Sequence, residues 1–218
     1  LPYGPSQGTL SYREKLVAYY HKHGISLSTE DIIVTTGASE ALNFALNVIC
    51  DAGDEIIIPE PFYANYNGFA SAASVRVVPV ISEFNSQFEL PSLENINKKI
   101  TPKTRAILLC NPSNPTGYVY NKDEVDTLCE LAIKYDIFLI VDEVYREFIH
   151  GEEPHYSVLK NQKAAEHTVM IDSVSKRYSL CGARVGCIVS KNKKLILMFL
   201  KNHIKPQNNK SSLIKRNT

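Results

Sequence analysis

The sequence predicts an α/β fold, in which a mostly parallel sheet is sandwiched between layers of helices. Apolar segments of strand length alternate along the chain with segments whose apolar residues recur at helical spacing. Strands that are apolar throughout are typical of parallel sheets covered on both faces. The chain has 218 residues, 44% hydrophobic and 22% charged, which is enough to bury a core. With no internal repeat and no linker before Lys201, we expect one domain over residues 1–200.

The elements of the first half alternate regularly. The segment Leu10–His23 is predicted to be a helix, because its apolar residues share one side and Gly24 follows as a stop signal. A helix is expected at Ser39–Cys50 for the same periodicity. The remaining elements of this half are a helix at Phe62–Ala73 and strands at Asp31–Thr36, Glu55–Pro59 and Ser74–Ile81.

The second half continues the alternation. Amphipathic spacing predicts helices at Pro91–Ile100 and Asp123–Tyr135. Short apolar runs predict strands at Arg105–Cys110, Ile137–Val141, Val169–Ile171 and Arg184–Val189. Residues 201–218 are polar and basic without apolar periodicity, which favours a disordered or non-native tail.

Composition excludes several classes of protein. The 24 basic and 23 acidic side chains give a formal net charge of +1, which argues against a nucleic-acid or anionic-membrane partner held by bulk charge. Five cysteines without C-x-x-C spacing argue against a disulfide scaffold or zinc site and favour reduced core thiols. The histidines show no metal-ligand spacing beyond His21 and His23, so no metal site is expected. No apolar run is long enough to cross a membrane and no signal peptide is visible, so we expect a cytoplasmic protein.

Ligands of such sheets bind beyond the carboxyl ends of the strands, so the strand-to-loop junctions are the candidate sites. After the first strand, Ala38 and Ser39 open a helix whose free N–H groups favour phosphate, although a plain turn capped by Ser39 explains the same residues. Tyr63 follows the second strand, where it either stacks on a planar ligand or belongs to the core. Asn114 lies in a loop of seven turn-forming residues, 111–117, whose rigidity suits a side chain that must hold its position.

Charged residues follow the later strands. Asp142 comes directly after an apolar strand and is expected to be nearly buried, either near a cationic ligand or in a structural ion pair. Lys176 follows a core strand and small residues, a setting for a desolvated nucleophile, although most lysines lie on surfaces. Arg184 lies eight residues later between Gly182 and Gly186, in a position suited to a bidentate phosphate contact.

Together these junctions resemble the fold-type-I pyridoxal-phosphate enzymes, specifically the class I/II aminotransferases close to the aspartate aminotransferase group. The similarity rests on the order Asn-Pro-x-Asn-Pro-Thr-Gly, Asp-Glu-x-Tyr and Ser-x-Ser-Lys, with an arginine eight residues after the lysine. It covers Tyr3 to about Leu200, and residues 1–200 would be the large cofactor-binding domain. The single motifs are weak to moderate, and their order and spacing make the similarity specific.

The resemblance implies a role for each candidate residue. Lys176 would form the Schiff base with pyridoxal 5′-phosphate and then move the proton of the substrate, and Asp142 would pair with the pyridinium nitrogen. Tyr145 and Asn114 would bind the phenolic oxygen, and Tyr63 would stack on the ring. The implied phosphate ligands are Ala38, Ser39, Ser173 and Arg184, with Tyr3 reaching the site of a neighbouring subunit in a homodimer.

The implied reaction is transamination between an amino acid, aspartate or a similar one, and a 2-oxo acid. The family's arginine for the substrate α-carboxylate belongs to a small C-terminal domain, and that domain and an N-terminal entrance segment are not found in these 218 residues. We therefore expect a truncated chain that binds cofactor weakly or lacks turnover.

Other functions compete with this interpretation. Ser173 and Lys176 fit the Ser-x-x-Lys motif of penicillin-recognising hydrolases, but the Ser-Asp-Asn and Lys-Thr-Gly motifs are missing. A Rossmann dehydrogenase is disfavoured because G-x-G-x-x-G is missing. A carbon–sulfur lyase, an aminocyclopropane-carboxylate-synthase-like enzyme or a decarboxylase would share every residue named above. A ligand-sensing domain of a transcription regulator and an inactive cofactor-binding fragment also stay open.

Overall fold

The computed structural model describes residues 4–150 and 154–204. Within these residues a seven-stranded sheet has the order β1-β7-β6-β5-β4-β2-β3. Its strands are β1 (Ile32–Thr35), β2 (Glu55–Glu60), β3 (Arg76–Ile81), β4 (Thr104–Cys110), β5 (Phe138–Asp142), β6 (Thr168–Ser173) and β7 (Gly186–Val189). Every hydrogen-bonded pair is parallel except the two that involve β7, so the predicted mostly parallel α/β sheet is confirmed.

Helices cover both faces of the sheet. They are α1 (Leu10–Lys22), α2 (Gly37–Ile49), α3 (Asn65–Ala72), α4 (Leu93–Asn97), α5 (Lys122–Tyr135), α6 (Val174–Arg177) and α7 (Lys193–Ile204). One face packs against α1, α4 and α5, and the other packs against α2, α3 and α7. The central strands β4, β5 and β6 are buried over nearly their whole length, which explains their continuous apolar sequences.

Strand β7 is antiparallel to both of its neighbours, so it begins at the edge of the sheet where β1 and β6 end. Its first residue, Gly186, pairs with Thr35 at the end of β1 and with Ser173 at the end of β6. Because β7 is antiparallel, the segment before it reaches the same edge of the sheet as the segments after the parallel strands. This topology brings Arg184 to the edge that carries the other candidate residues.

Several predicted boundaries differ from the observed ones. Arg184 lies outside the last strand with φ of 50°, a left-handed turn conformation that a strand residue does not adopt. Helix α3 begins at Asn65 rather than Phe62, with Ala64 as its N-cap. Helix α7 was not predicted, and it continues through residues 201–204, which the sequence assigned to the tail. Residues 205–218 lie outside the described residues.

No helix in the described residues is long and apolar enough to cross a membrane. The same residues contain no group of His, Cys, Asp and Glu side chains that could hold a metal ion.

Candidate active site

The candidate residues gather at one edge of the sheet in two groups, and the strand order separates them. The first group lies after β1, before β7 and at the end of β6, which are three neighbouring strands of the sheet. The second group lies after β5, β4 and β2, which are the next three strands. The first group holds the predicted phosphate ligands, and the second holds the residues predicted to contact the ring.

Lys176 lies on α6, a single helical turn directly after β6. Ser173, the last residue of β6, begins this turn, and its hydroxyl oxygen accepts a hydrogen bond from the Ser175 N–H at 3.3 Å. This N-cap orients the turn so that Nζ of Lys176 lies 5.5 Å from the ring centroid of Tyr145. Lys176 and Tyr145, which are 31 positions apart in the sequence, thus lie close together. Lys176 is exposed, so the desolvated setting expected from the sequence is wrong and the surface alternative holds.

Asp142 is the last residue of β5 and is only 8% exposed. Its carboxylate accepts hydrogen bonds from the Tyr66 hydroxyl at 2.9 Å and from the Val144 N–H at 3.3 Å. Burial raises the pKa of Asp142 to about 6, while the Tyr66 hydrogen bond and the charge of Lys176 partly oppose this effect. The strand end therefore holds a carboxylate that lacks enough positive charge around it to offset its desolvation.

Two aromatic rings connect Asp142 with the surface. The ring of Tyr66 is buried, and the ring of Tyr63 meets it edge-on at a centroid distance of 5.5 Å. Tyr63 is 38% exposed, and its hydroxyl oxygen accepts a hydrogen bond from the Asn65 amide at 2.7 Å. Tyr63 thus presents an accessible ring against Tyr66, the residue that donates to the Asp142 carboxylate.

Asn114 is connected to the Asp142 carboxylate by the thiol of Cys110, which interacts with both residues. Burial raises the pKa of the Cys110 thiol to about 12, and a hydrogen bond from the Asn114 backbone partly opposes this shift. Cys110 in turn lies beside Tyr66 and Asp142, whose interactions also shift its pKa. The rigid loop thus places Asn114, which is half-buried, at the ring end of the edge.

The phosphate group of residues gathers around the start of α2. Ala38 and Ser39 lie in its first turn, whose N–H groups have no partner within the helix, and Ser39 is exposed. The guanidinium of Arg184 donates to the Cys181 carbonyl at 3.1 Å and lies against Gly37. Gly37 has φ of 76°, which a side chain would strain, and a Cβ atom there would stand 2.6 Å from Nη2 of Arg184, so the guanidinium would have to shift.

Tyr66 is the site residue that sequence reasoning missed. It lies 76 positions before Asp142, on α3, and its spacing there is that of a core residue. A tyrosine on the apolar side of a helix directly after a candidate ligand loop was the available signal, since a buried hydroxyl needs a partner. The prediction for Tyr3 lies outside the described residues.

The arrangement has a definite chemical capacity. One end combines an arginine with the free N–H groups of a helix, which together suit a phosphate. The other end combines a lysine amine, a buried carboxylate and tyrosine rings, which suit a planar cationic ring. The edge as a whole therefore fits a flat, phosphorylated ligand with a protonated ring nitrogen and an electrophilic carbon.

Known proteins are similar to this chain in sequence and in fold. The family model described as aminotransferase class I and II matches residues 1–212. An aspartate aminotransferase of Pyrococcus horikoshii is 34% identical over 189 residues, 86% of this chain and 48% of the relative. The putative aminotransferase YugH of Bacillus subtilis is 37% identical over 186 residues, 84% of this chain and 48% of the relative. The chain therefore spans about half the length of these relatives.

Solved structures agree. The structure of an aromatic aminotransferase from Pyrococcus horikoshii has a TM-score of 0.87 at 29% identity, covering 93% of this chain and 54% of that one. The structure of the aspartate aminotransferase from Thermus thermophilus with maleate has a TM-score of 0.86 at 32% identity, covering 93% and 52%.

Proposed function

The chain belongs to the class I and II aminotransferases, and from that premise we propose that it binds pyridoxal 5′-phosphate and transfers an amino group from an aspartate-like amino acid to a 2-oxo acid. The observation that carries this proposal is the meeting of Lys176 and Asp142 at adjacent strand ends, with the Tyr145 ring 5.5 Å from the lysine amine.

The residues present fit this cofactor. The buried carboxylate of Asp142 lacks sufficient compensating charge, and a pyridinium N–H would supply it. Arg184, Ala38 and Ser39 in the first turn of α2, and Ser173 at the end of β6 would hold the phosphate. When bound, the cofactor supplies an electron sink for the electrons of the substrate's α-carbon.

The protein contributes orientation and charge. Asp142 would keep the ring nitrogen protonated, because a carboxylate at this depth favours a nearby positive charge. Tyr63 would hold one face of the ring, and Asn114 and Tyr145 would hydrogen-bond its phenolic oxygen. Lys176 would bind the cofactor aldehyde covalently and, once freed, hold the proton removed from the substrate α-carbon. The donor's amino group and the acceptor's keto oxygen exchange places, so no oxidant is consumed.

We also propose a domain assignment, an oligomeric state and a cellular location for the chain. Residues 1–200 are proposed as the cofactor-binding domain, within a homodimer to which Tyr3 contributes. Support for an interface near the site comes from the exposed apolar side chains of Phe148, Tyr178 and Leu180, which neighbour Tyr145 and Lys176. The cysteines of the described residues form no disulfide, and reduced thiols suit a cytoplasmic location.

A product assay tests the reaction. The truncation expected from the sequence predicts weak cofactor binding or no turnover. The proposed function predicts instead that the 218-residue chain with pyridoxal 5′-phosphate and L-aspartate yields oxaloacetate and pyridoxamine 5′-phosphate in equal amounts. The second half-reaction should convert 2-oxoglutarate to glutamate. Lys176→Ala should abolish both, whereas Lys191→Ala, which changes a lysine bonded to Gln162 away from this edge, should not.

The products distinguish the competing functions. Release of pyruvate and ammonia from a cysteine conjugate would indicate a lyase, and carbon dioxide would indicate a decarboxylase. Cofactor binding without any product would leave a binding fragment and contradict transamination by this chain.

A further inference from the structure

A buried ion pair lies directly behind Lys176, and the proposed chemistry does not use it. Asp172 of β6 is 1% exposed, and the side chain of Arg177 is 3% exposed. One carboxylate oxygen of Asp172 accepts hydrogen bonds from Nη2 of Arg177 at 2.5 Å and from the Tyr20 hydroxyl at 2.7 Å. The other accepts the Ser173 N–H at 2.7 Å.

These bonds tie both ends of α6 to one carboxylate. Ser173 is the N-cap of α6, and Arg177 is its last residue, so Lys176 lies between the two tied positions. A four-residue helix is too short to be stable through its own hydrogen bonds, and its position must come from outside contacts. The Asp172 carboxylate provides these contacts at the two ends.

Arg177 is also held on its other sides. Its guanidinium lies 4.1 Å from the ring centroid of Tyr19, and Nε lies 3.2 Å from Glu147. The Tyr19 hydroxyl donates to the same carboxylate of Glu147. Arg177 therefore connects α1, α6 and the segment after β5 that also carries Tyr145.

A gain in the stability of the fold does not explain why Asp172 and Arg177 form a buried ion pair. Desolvation of two buried charges offsets most of their attraction, so a buried ion pair adds little net stability compared with apolar side chains of similar size. What such a pair does provide is a fixed geometry, because each donor has one direction in which it reaches the carboxylate.

We propose that Arg177 and Asp172 are positioning residues for Lys176, holding α6 so that the amine meets the cofactor aldehyde. This inference rests on the proposed function. In the step concerned, the Lys176 nitrogen bonds to the aldehyde carbon, and the aldehyde oxygen leaves as water with two protons taken up from the amine. The ring and phosphate contacts come mainly from other elements, so Arg177 governs covalent capture and leaves non-covalent binding unchanged.

Two probes separate capture from binding. Pyridoxine 5′-phosphate lacks the aldehyde and reports non-covalent affinity, whereas pyridoxal 5′-phosphate trapped with borohydride reports the rate of covalent capture. For Arg177→Met we expect capture to slow by roughly 10- to 100-fold, with affinity for pyridoxine 5′-phosphate within about twofold of wild type. Arg177→Lys, which keeps the charge without the planar fork, should recover part of the rate.

A matched control lies at the opposite edge of the sheet. Arg105→Met removes an arginine bonded to Asp54 at 3.0 Å and should change neither the capture rate nor the affinity. If Arg177→Met fails to fold, Tyr20→Phe carries the test, since it removes one donor to Asp172 and keeps the buried ring.

The outcomes are distinct. A capture rate unchanged in Arg177→Met, or in Tyr20→Phe where that variant carries the test, overturns the inference. So does an equal loss of capture and of pyridoxine 5′-phosphate affinity, because that pattern indicates a general structural role. If the wild-type chain captures no cofactor at Lys176, the proposed function itself fails.

Discussion

Replacing Asp142 by Asn should stabilise the cofactor-free chain at neutral pH. Burial raises the pKa of this carboxyl from its ordinary 3.8 to about 6, so the folded chain binds a proton more readily than the unfolded chain. The stability that this proton provides is complete below pH 4 and is lost as pH rises through 6. A shift of about two pKa units corresponds to about 3 kcal/mol at pH 7. The amide keeps the size of the side chain and an oxygen that accepts from Tyr66. Its NH2 group replaces the oxygen that accepts from the Val144 N–H, which offsets up to about 1 kcal/mol of the gain.

Urea unfolding of both chains between pH 4 and pH 7.5 measures this effect. We expect Asp142→Asn to gain about 2–3 kcal/mol at pH 7 and almost nothing at pH 4. Thermal unfolding at pH 7 should shift upward by roughly 5–10 °C. A loss of stability at pH 7, or an equal gain at both pH values, would refute the reasoning.

Asp126 offers a control in which the pKa is lowered instead of raised, so the pH dependence of stability has the opposite sign. Burial raises its pKa, but hydrogen bonds from Lys122, Asn161 and Tyr156 outweigh burial and hold the pKa below its ordinary value. This carboxylate therefore stabilises the fold above its unfolded pKa, and the contribution is lost as pH falls. Asp126→Asn should be less stable than wild type at pH 7.

Three further predictions concern the same edge. Tyr66→Phe removes a donor to Asp142, so the pKa of that carboxyl should rise further, as ¹³C NMR titration would show, and an unchanged midpoint would contradict the contact. Arg184→Gln should weaken pyridoxal 5′-phosphate roughly 10- to 100-fold in an absorbance titration and leave unphosphorylated pyridoxal unaffected; equal losses would contradict a phosphate role. Gly186→Ala should lower the free energy of unfolding by about 1–3 kcal/mol, because its Cβ would stand 2.8 Å from the Ala38 nitrogen; unchanged urea unfolding would contradict this packing.

Local signals in the sequence predicted most of the site. Asp142, Lys176 and Asn114 each follow an apolar strand directly, and strand ends are recognisable from composition alone. That these residues share one edge follows from the parallel sheet, which the alternation of elements predicts. The sequence therefore predicted which residues meet at this edge of the sheet, while their roles toward a ligand stay predictions.

The direction of β7 and the position of α7 were harder to predict from the sequence. A four-residue apolar strand such as β7 has the same sequence pattern in either direction, so its antiparallel orientation could not be predicted from periodicity. The position of Arg184 at the edge depends on that orientation. The apolar run Leu195–Leu200 carries the buried face of α7, but no element was predicted there. Only residues 201–204 of this helix fall in the segment that was interpreted by its polarity.

Long-range polar contacts were out of reach. The Tyr20 hydroxyl meets Asp172 across 152 positions, and no local pattern relates the two. A tyrosine in an amphipathic helix and an aspartate at a strand end each have many alternative partners. The ion pair behind Lys176 therefore became visible only in three dimensions.

The central claim is that the amine of Lys176 captures the aldehyde of pyridoxal 5′-phosphate. Incubation with the cofactor, reduction with borohydride and mass spectrometry of the digested chain test it most directly. We expect one pyridoxyl label, on the peptide that contains Lys176, and no label in Lys176→Ala. A label on any other lysine, or an unlabelled chain at saturating cofactor, would contradict it.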